Sequence, residues 1–307
     1  MGYSTYSSTS RTDRILTSEG ISVDGMSDSV KKSTYDTVMR SKLRSEIFQQ
    51  RQINNAMSPF NVGIRESRDS KEHPNSVAII IALDVTGSMG SVPHYLVKNG
   101  LPNIMDSIIN KGVADPQILF LGIGDHECDQ APLQVGQFES GDELLDKWLT
   151  TVYLEGGGGG NDGESYMLAW HFAAFYTAID CLDKRGQKGF LFTIGDEPVL
   201  DKIPSRALKS IMGDGQHEDY PSSVLYDKAR QLYNVYHIHI KETSSGSRRS
   251  VMDGWQQLLS DNLKVADRHE DVSDIISDTI TNIHTSQETP TVPNTIDEPS
   301  KTEEMML

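Results

Sequence analysis

Val77-Ala78-Ile79-Ile80-Ile81-Ala82-Leu83-Asp84-Val85-Thr86-Gly87-Ser88-Met89-Gly90 is the stretch whose reading decides the fold. Its first part, residues 77–85, is β-branched and aliphatic without polar alternation, as expected of a strand buried on both faces. Its second part sets a carboxylate and two hydroxyls, Asp84, Thr86 and Ser88, at alternate positions. All three can then point to one side of an extended turn, and Gly87 and Gly90 let the backbone fold tightly around what they hold. Small oxygen ligands of this kind suit a hard cation such as Mg²⁺ or Mn²⁺, which keeps several waters. The same string also reads as a plain strand-to-helix turn in which Thr86 or Ser88 caps the next helix.

Outward from this stretch, strands and helices alternate. A helical region over 93–111 is expected to bend or break near Pro102, because proline lacks the helical donor. Residues 118–123 read as a second buried strand ending in Gly-Asp-His-Glu, 133–138 as a short strand and 142–152 as a helix. Leu168, Phe172, Phe175, Ile179 and Leu182 recur at helical spacing and predict one helix through all five. A third buried strand over 190–194 ends in Gly-Asp-Glu-Pro. Helices over Ser205–Met212 and 224–232, a strand over 235–240 and a helix over 251–259 follow, then a short strand over Leu263–Ala266 and a closing helix over 272–283. Such alternation predicts an α/β fold, a doubly wound, mainly parallel sheet flanked by helices. Ligands of such sheets bind at the carboxyl ends of the strands, where strand order reverses.

Four regions follow from composition. Residues 1–27, rich in Ser and Thr, read as a disordered arm. Residues 28–76 read as a helical extension, with Tyr35, Met39, Leu43 and Ile47 in one stripe, followed by a polar connector over 65–76 that reads as a solvated link. Residues 77–285 form the main domain, long enough to bury a core. Residues 286–307, with three prolines and mostly acidic charge, read as a disordered acidic tail.

The formal net charge of -16 argues against nucleic acid, whose phosphates need clustered Lys and Arg. It favours cations or basic partners. Cys128 and Cys181, the two cysteines, fit a reducing compartment. The N-terminus lacks the apolar core of a signal peptide, and the longest apolar run, 77–83, is too short to span a bilayer. A cytoplasmic protein without membrane contact is expected.

Two further segments bear on chemistry. Asp196 ends another buried strand and, in a doubly wound sheet, shares a crevice with Asp84; alternatively it opens a turn before Pro198. Residues 156–160 are five glycines, followed by Asn161-Asp162-Gly163-Glu164 ahead of a helix. No Gly-Lys-Ser or Gly-Lys-Thr follows, so this is no nucleotide-triphosphate loop. Asn161 with Glu164 also reads as a helix capping box. Asp125, His126, Glu127 and Asp129 follow the second strand and either edge the crevice, as cation tuners or as acid and base, or form a solvated acidic loop. His237 and His239 alternate on a strand; zinc there would need a third ligand such as His217 or Cys128, and buried, hydrogen-bonded histidines are the simpler reading.

Taken together, DVTGSMG after an aliphatic strand, a glycine-rich loop before a helix, and an Asp after a later aliphatic strand resemble the von Willebrand factor A domain over about residues 77–285. The resemblance implies a Rossmann-like fold and a metal-ion-dependent adhesion site (MIDAS) built from Asp-x-Ser-x-Ser, a Thr in the second loop and an Asp in the third. Asp84 and Ser88 match, Thr86 keeps the hydroxyl of the first Ser, and Asp196 matches the third-loop Asp, within Gly-Asp-Glu where the family usually has Thr-Asp-Gly. Gly160 stands where the Thr is expected, so Asn161 or a water would supply that oxygen, with Asp125 and Glu164 placed behind the ligands. The resemblance further implies Mg²⁺ (or Mn²⁺) with one position open to an Asp or Glu of a protein partner. That is a binding device, not a catalyst. Intracellular bacterial and phage relatives of this kind serve assembly or accompany ATPases, in the cytoplasm, the host cytoplasm or the virion. Two alternatives stay open. One is a Mg²⁺-dependent phosphohydrolase using Asp84, although the haloacid-dehalogenase type carries an Asp where Thr86 stands. The other is a structural component with a vestigial site.

Overall fold

The computed structural model describes residues 5–155 and 161–288. The polyglycine loop 156–160, with Gly160, and most of the expected acidic tail, 289–307, lie outside the described residues.

Six strands form the main sheet: β1 (Ser76–Asp84), β2 (Asp115–Ile123), β3 (Leu133–Val135), β4 (Gly189–Gly195), β5 (Tyr233–Ile240) and β6 (Leu263–Ala266). Their order is β6-β5-β4-β1-β2-β3, parallel throughout except for the antiparallel edge strand β3. Central β1 is buried at every position, with Ile80 between Leu119 and Leu191, and so its sequence is aliphatic without alternation. Ile79, Ile81 and Leu83 pack under one helical layer, which includes Leu101–Asn110, Asp142–Thr151 and Val272–Glu288. Ala78, Ile80 and Ala82 face the other, which includes Met167–Phe175, Ser205–Met212, Ser222–Leu232 and Arg249–Leu259. The doubly wound α/β fold expected from the sequence is the fold found. Successive strands run outward from β1 to β3 and then restart at β4 on the other side. The reversal therefore falls between β1 and β4, and their carboxyl ends carry Asp84 and Asp196.

Several expectations are corrected. Within the expected disordered arm, Ser8–Ser18 forms helix α1, capped by the Ser7 side chain accepting from the Ser10 N–H at 3.1 Å. Its sparse apolar content misled because a charged residue anchors it. Arg11 is 2% exposed, and its guanidinium donates to Asp146 (2.9 and 3.0 Å), to the Tyr35 hydroxyl (2.6 Å) and to the Val97 carbonyl (2.7 Å). The extension helix α2 (Asp28–Ser41) stops short of the expected stripe: Tyr35 and Met39 are buried, but Leu43 is 64% exposed.

The break near Pro102 takes the form of a π-turn, Leu96–Gly100. The Leu101 N–H reaches back to the Leu96 carbonyl, and Pro102 has no N–H, so the Val97 and Lys98 carbonyls lose their helical donors. Arg11 donates to the first and the Tyr35 hydroxyl, at 2.6 Å, to the second. The N-terminal extension thus satisfies the backbone that the proline left open.

The expected single helix over 168–182 is also split. Met167–Phe175 ends, Thr177–Ile179 becomes a strand paired in parallel with Arg65–Ser67, and Asp180–Arg185 resumes the helix. The Thr177 hydroxyl takes the Ala173 carbonyl (2.7 Å) and the Arg65 N–H takes that of Tyr176 (2.8 Å), so the broken helix leaves these groups paired. The polar connector is therefore no solvated link. Arg68 bonds Asp180 (2.7 Å), Arg185 bonds Asp69 (2.8 Å), and Ser67, His73 and Ser76 are buried. It packs at the amino end of β1, away from Asp84. Among the described residues, no helix is long and apolar enough to cross a membrane.

Candidate metal centre

The turn after β1 is built around one carboxylate. Asp84 Oδ1 accepts from the Thr86 N–H (2.9 Å) and the Thr86 hydroxyl (2.6 Å), an Asx-type turn that fixes both residues. Asp84 Oδ2 accepts from the Tyr166 hydroxyl (2.7 Å). From across the reversal point, Asp196 Oδ1 accepts from the Ser88 hydroxyl at 2.9 Å. Both hydroxyl protons are then committed to carboxylates, and Thr86 Oγ1 and Ser88 Oγ stand 3.2 Å apart with lone pairs free. Bonds of about 2.0–2.1 Å place adjacent oxygens on an octahedral Mg²⁺ about 2.9 Å apart, close to this spacing. Asp84, Thr86 and Asp196 are buried, whereas Ser88 is half-buried beside the exposed Gly87 and Gly90, so the group reaches the surface through Ser88.

Charge in this crevice is one-sided. Burial pushes Asp84 up to about 7 against the donors from Thr86 and Tyr166, with the Asp196 charge adding to the rise. Burial, then the charges of Asp84, Asp129 and Asp125, push Glu164 up to about 10. Among the described residues, buried Asp196 Oδ2, Glu164 Oε2 and Asp125 Oδ2 have no hydrogen-bond partner. Among the described residues, no Lys or Arg pairs with Asp84, Asp196 or Glu164. Buried, unmatched carboxylates are costly, and a cation beside Asp196 Oδ2 and the two hydroxyl lone pairs would offset that cost. The donor set, oxygen only, fits a hard divalent ion.

The sequence-derived residues are partly gathered here. Asp84 with Thr86 and Asp196 with Ser88 form two hydrogen-bonded pairs whose hydroxyl oxygens stand side by side. Asn161 is bonded into neither; its amide donates to Glu127 Oε2 at 2.9 Å, on the rim. Glu164 does not cap a helix with Asn161, since the helix starts at Met167. Its backbone instead accepts from the Leu200 N–H (3.1 Å) and donates to Pro198 (2.8 Å), stitching the second loop to the segment after Asp196. Asp125 is buried and shapes its own turn, accepting from the Glu127 N–H at 2.9 Å, while Glu127 is exposed. His126 Nδ1 contacts Ser165 Oγ at 2.7 Å. His237 and His239 are core residues: His237 stacks on Trp255 at 3.6 Å and bonds Thr193 (2.9 Å), and His239 bonds the Gly246 carbonyl (2.8 Å). Burial drives both toward the neutral form.

Sequence reasoning missed Tyr166 and the brace around Asp196. Glu197 pairs with Arg248, and its carbonyl accepts from Trp255 Nε1 at 3.0 Å. Only Gly195, unusual in its motif, hinted that something must pass close by.

Fold and site define a doubly wound α/β domain with a hydroxyl-carboxylate centre at the strand-order reversal. No family model matches the chain, and no curated protein matches it. Solved structures do show a likeness. The pilus adhesin SpaC from Lactobacillus rhamnosus GG, in an open conformation, matches at 13% identity and TM-score 0.47, over 73% of this chain and 31% of that one. The vWF domain of the pili tip protein Mfa5 from Porphyromonas gingivalis matches at 10% identity and TM-score 0.45, over 71% of this chain and 98% of that one. Proximal thread matrix protein 1 from the mussel byssus, with a zinc-occupied MIDAS motif, matches at 11% identity and TM-score 0.41, over 67% and 47%. The chain thus spans less than a third of the SpaC adhesin it matches.

Proposed function

We propose that this chain is a metal-dependent protein-binding module of the von Willebrand factor A type, an adaptor or assembly factor and not an enzyme. Its cation, Mg²⁺ or Mn²⁺, would be held by Thr86, Ser88 and Asp196 with Asp84 behind them. The observation that carries this reading is that Thr86 donates to Asp84 and Ser88 to Asp196, which sets two hydroxyl oxygens side by side at the reversal point, together with a buried Asp196 oxygen that has no partner among the described residues. A divalent cation there supplies positive charge only partly neutralised by its ligands, and so attracts an Asp or Glu side chain of a partner. Thr86 and Ser88 contribute neutral oxygens, which leaves more of that charge available. Ser88 and the exposed Gly87 and Gly90 form the approach. Two free cysteines favour a reducing, cytoplasmic setting, including host cytoplasm or virion for a phage protein. Calorimetric titration with Mn²⁺ and Mg²⁺ tests the reading. The native chain is expected to bind, Asp84→Ala to bind far more weakly, and an Asp-containing peptide to bind only with the metal present. Equal heats for the native chain and Asp84→Ala at millimolar cation would remove the site.

A further inference from the structure

We propose that Tyr166 is a positioning residue of this cation site and that Gly195 is the gap that admits it. The inference rests on the cation reading above. Tyr166 sits immediately before Met167–Phe175, fully buried, with its ring edge-on to His237 (centroids 5.1 Å apart) and to Trp255 (5.4 Å). These contacts aim the hydroxyl along β4 toward Asp84 Oδ2, which it reaches at 2.7 Å, with the Glu197 N–H 3.5 Å away. The path exists only because residue 195 has no side chain. A Cβ there would lie 1.8 Å from the Tyr166 hydroxyl oxygen and 2.5 Å from Cζ.

The hydroxyl acts through Asp84. With Thr86 on Oδ1 and Tyr166 on Oδ2, the carboxylate cannot rotate, and the Thr86 proton stays committed to it. That keeps the Thr86 lone pair turned outward beside Ser88, where a cation needs it. The described part of the glycine-rich segment brings no hydroxyl to Asp84; the hydroxyl comes instead from Tyr166, the residue just before the following helix. A purely structural tyrosine, placed to fill the core and to satisfy its own hydroxyl, would affect folding without touching cation affinity.

The test compares the native chain, Tyr166→Phe and Gly195→Ala by three measurements: calorimetric titration with Mn²⁺ alone, cation-free thermal melting, and the near-ultraviolet tyrosine difference spectrum on adding Mn²⁺. Tyr166→Phe keeps the ring packing and is expected to bind Mn²⁺ about tenfold more weakly, the scale of one hydrogen bond to a charged group. It should also lose the tyrosine difference band. Gly195→Ala, which displaces the hydroxyl without removing it, is expected to weaken binding comparably, and it decides the matter should Tyr166→Phe fail to fold. A native chain that binds Mn²⁺ while Tyr166→Phe binds equally well or more tightly overturns this proposal and leaves the cation site standing. A native chain that does not bind overturns both.

Discussion

Asp196→Asn should make the cation-free protein more stable and at the same time abolish its response to cations. Asn keeps the size of the side chain and the acceptor for Ser88 at Oδ1. It replaces Oδ2, a buried oxygen without a partner among the described residues in a crevice shared with Asp84 and Glu164, by a neutral amide. Relieving one buried, unmatched charge is worth about 1–3 kcal/mol. For a domain of this size each kcal/mol moves Tm by about 2–4 °C, so a rise of about 2–12 °C is expected. Adding Mn²⁺ at about a hundred times its Kd should stabilise the native chain by about 2.7 kcal/mol and the variant hardly at all. The order of melting temperatures should therefore narrow or invert with cation. Differential scanning calorimetry of both proteins, with chelator and with Mn²⁺, reads both effects in one experiment. If the variant is destabilised by more than about 1 kcal/mol in chelator, the crevice is not strained by unmatched charge; if it keeps the Mn²⁺ gain, Asp196 does not serve the ion.

Arg11→Met should cost about 3 kcal/mol, the lower end for breaking a buried ion pair, because Arg14 remains on Asp146 while the Val97 carbonyl loses its donor. Urea unfolding measures it, and a loss under about 1 kcal/mol would mean that α1 is not part of the folded unit. In metal-free protein, Glu164 and Asp84 are raised to about 10 and about 7, above their ordinary 4.5 and 3.8. Their contribution is full below the ordinary values and is lost as pH rises through the raised ones, so Tm should fall from about pH 4 through about pH 7 for Asp84 and on to about pH 10 for Glu164. The Mn²⁺-induced rise in Tm should grow over the same range, because binding needs the ionised carboxylates; a flat profile in both conditions would refute this. Exposed Cys128 is pushed up to about 11, chiefly by its hydrogen bond to Asp125, and Cys181 is buried. Alkylation near neutral pH should thus be slow at both, with Cys181 reacting only on unfolding; both thiols reacting in the native protein at the rates of the unfolded chain would contradict the structure.

What could be read beforehand follows from where the information resides. Strands β1, β2 and β4 are buried on both faces, so burial alone writes their aliphatic runs. The helical break at Pro102 was visible because a missing donor is a property of one residue. The strand Thr177–Ile179 was not, because its spacing suits a helix equally well and only pairing with Arg65–Ser67, over a hundred residues earlier, decides between them. Helix α1 was hidden for a related reason. Its anchor is the charge of Arg11, whose burial depends on Asp146, Tyr35 and Val97, and nothing near Arg11 in sequence announces them.

The candidate site divides along the same line. Asp84, Thr86 and Ser88 form a local string, and Asp196 follows a recognisable strand, so topology alone brings them together at the reversal. The second loop could not be read this way. Its expected oxygen donor, Asn161, turns instead to Glu127, and the hydroxyl that does reach Asp84 comes from Tyr166, five residues further on. Asn161 reads as a ligand because it follows the glycines, whereas nothing beside Tyr166 in the sequence marks its hydroxyl as reaching Asp84. Yet the sequence carried a trace of the substitution. Gly195 makes sense only if another group needs the volume its Cβ would fill, and the Tyr166 hydroxyl is that group. A glycine ending a fully buried strand, just before a candidate ligand, is therefore a reason to search for an incoming side chain before judging the site incomplete.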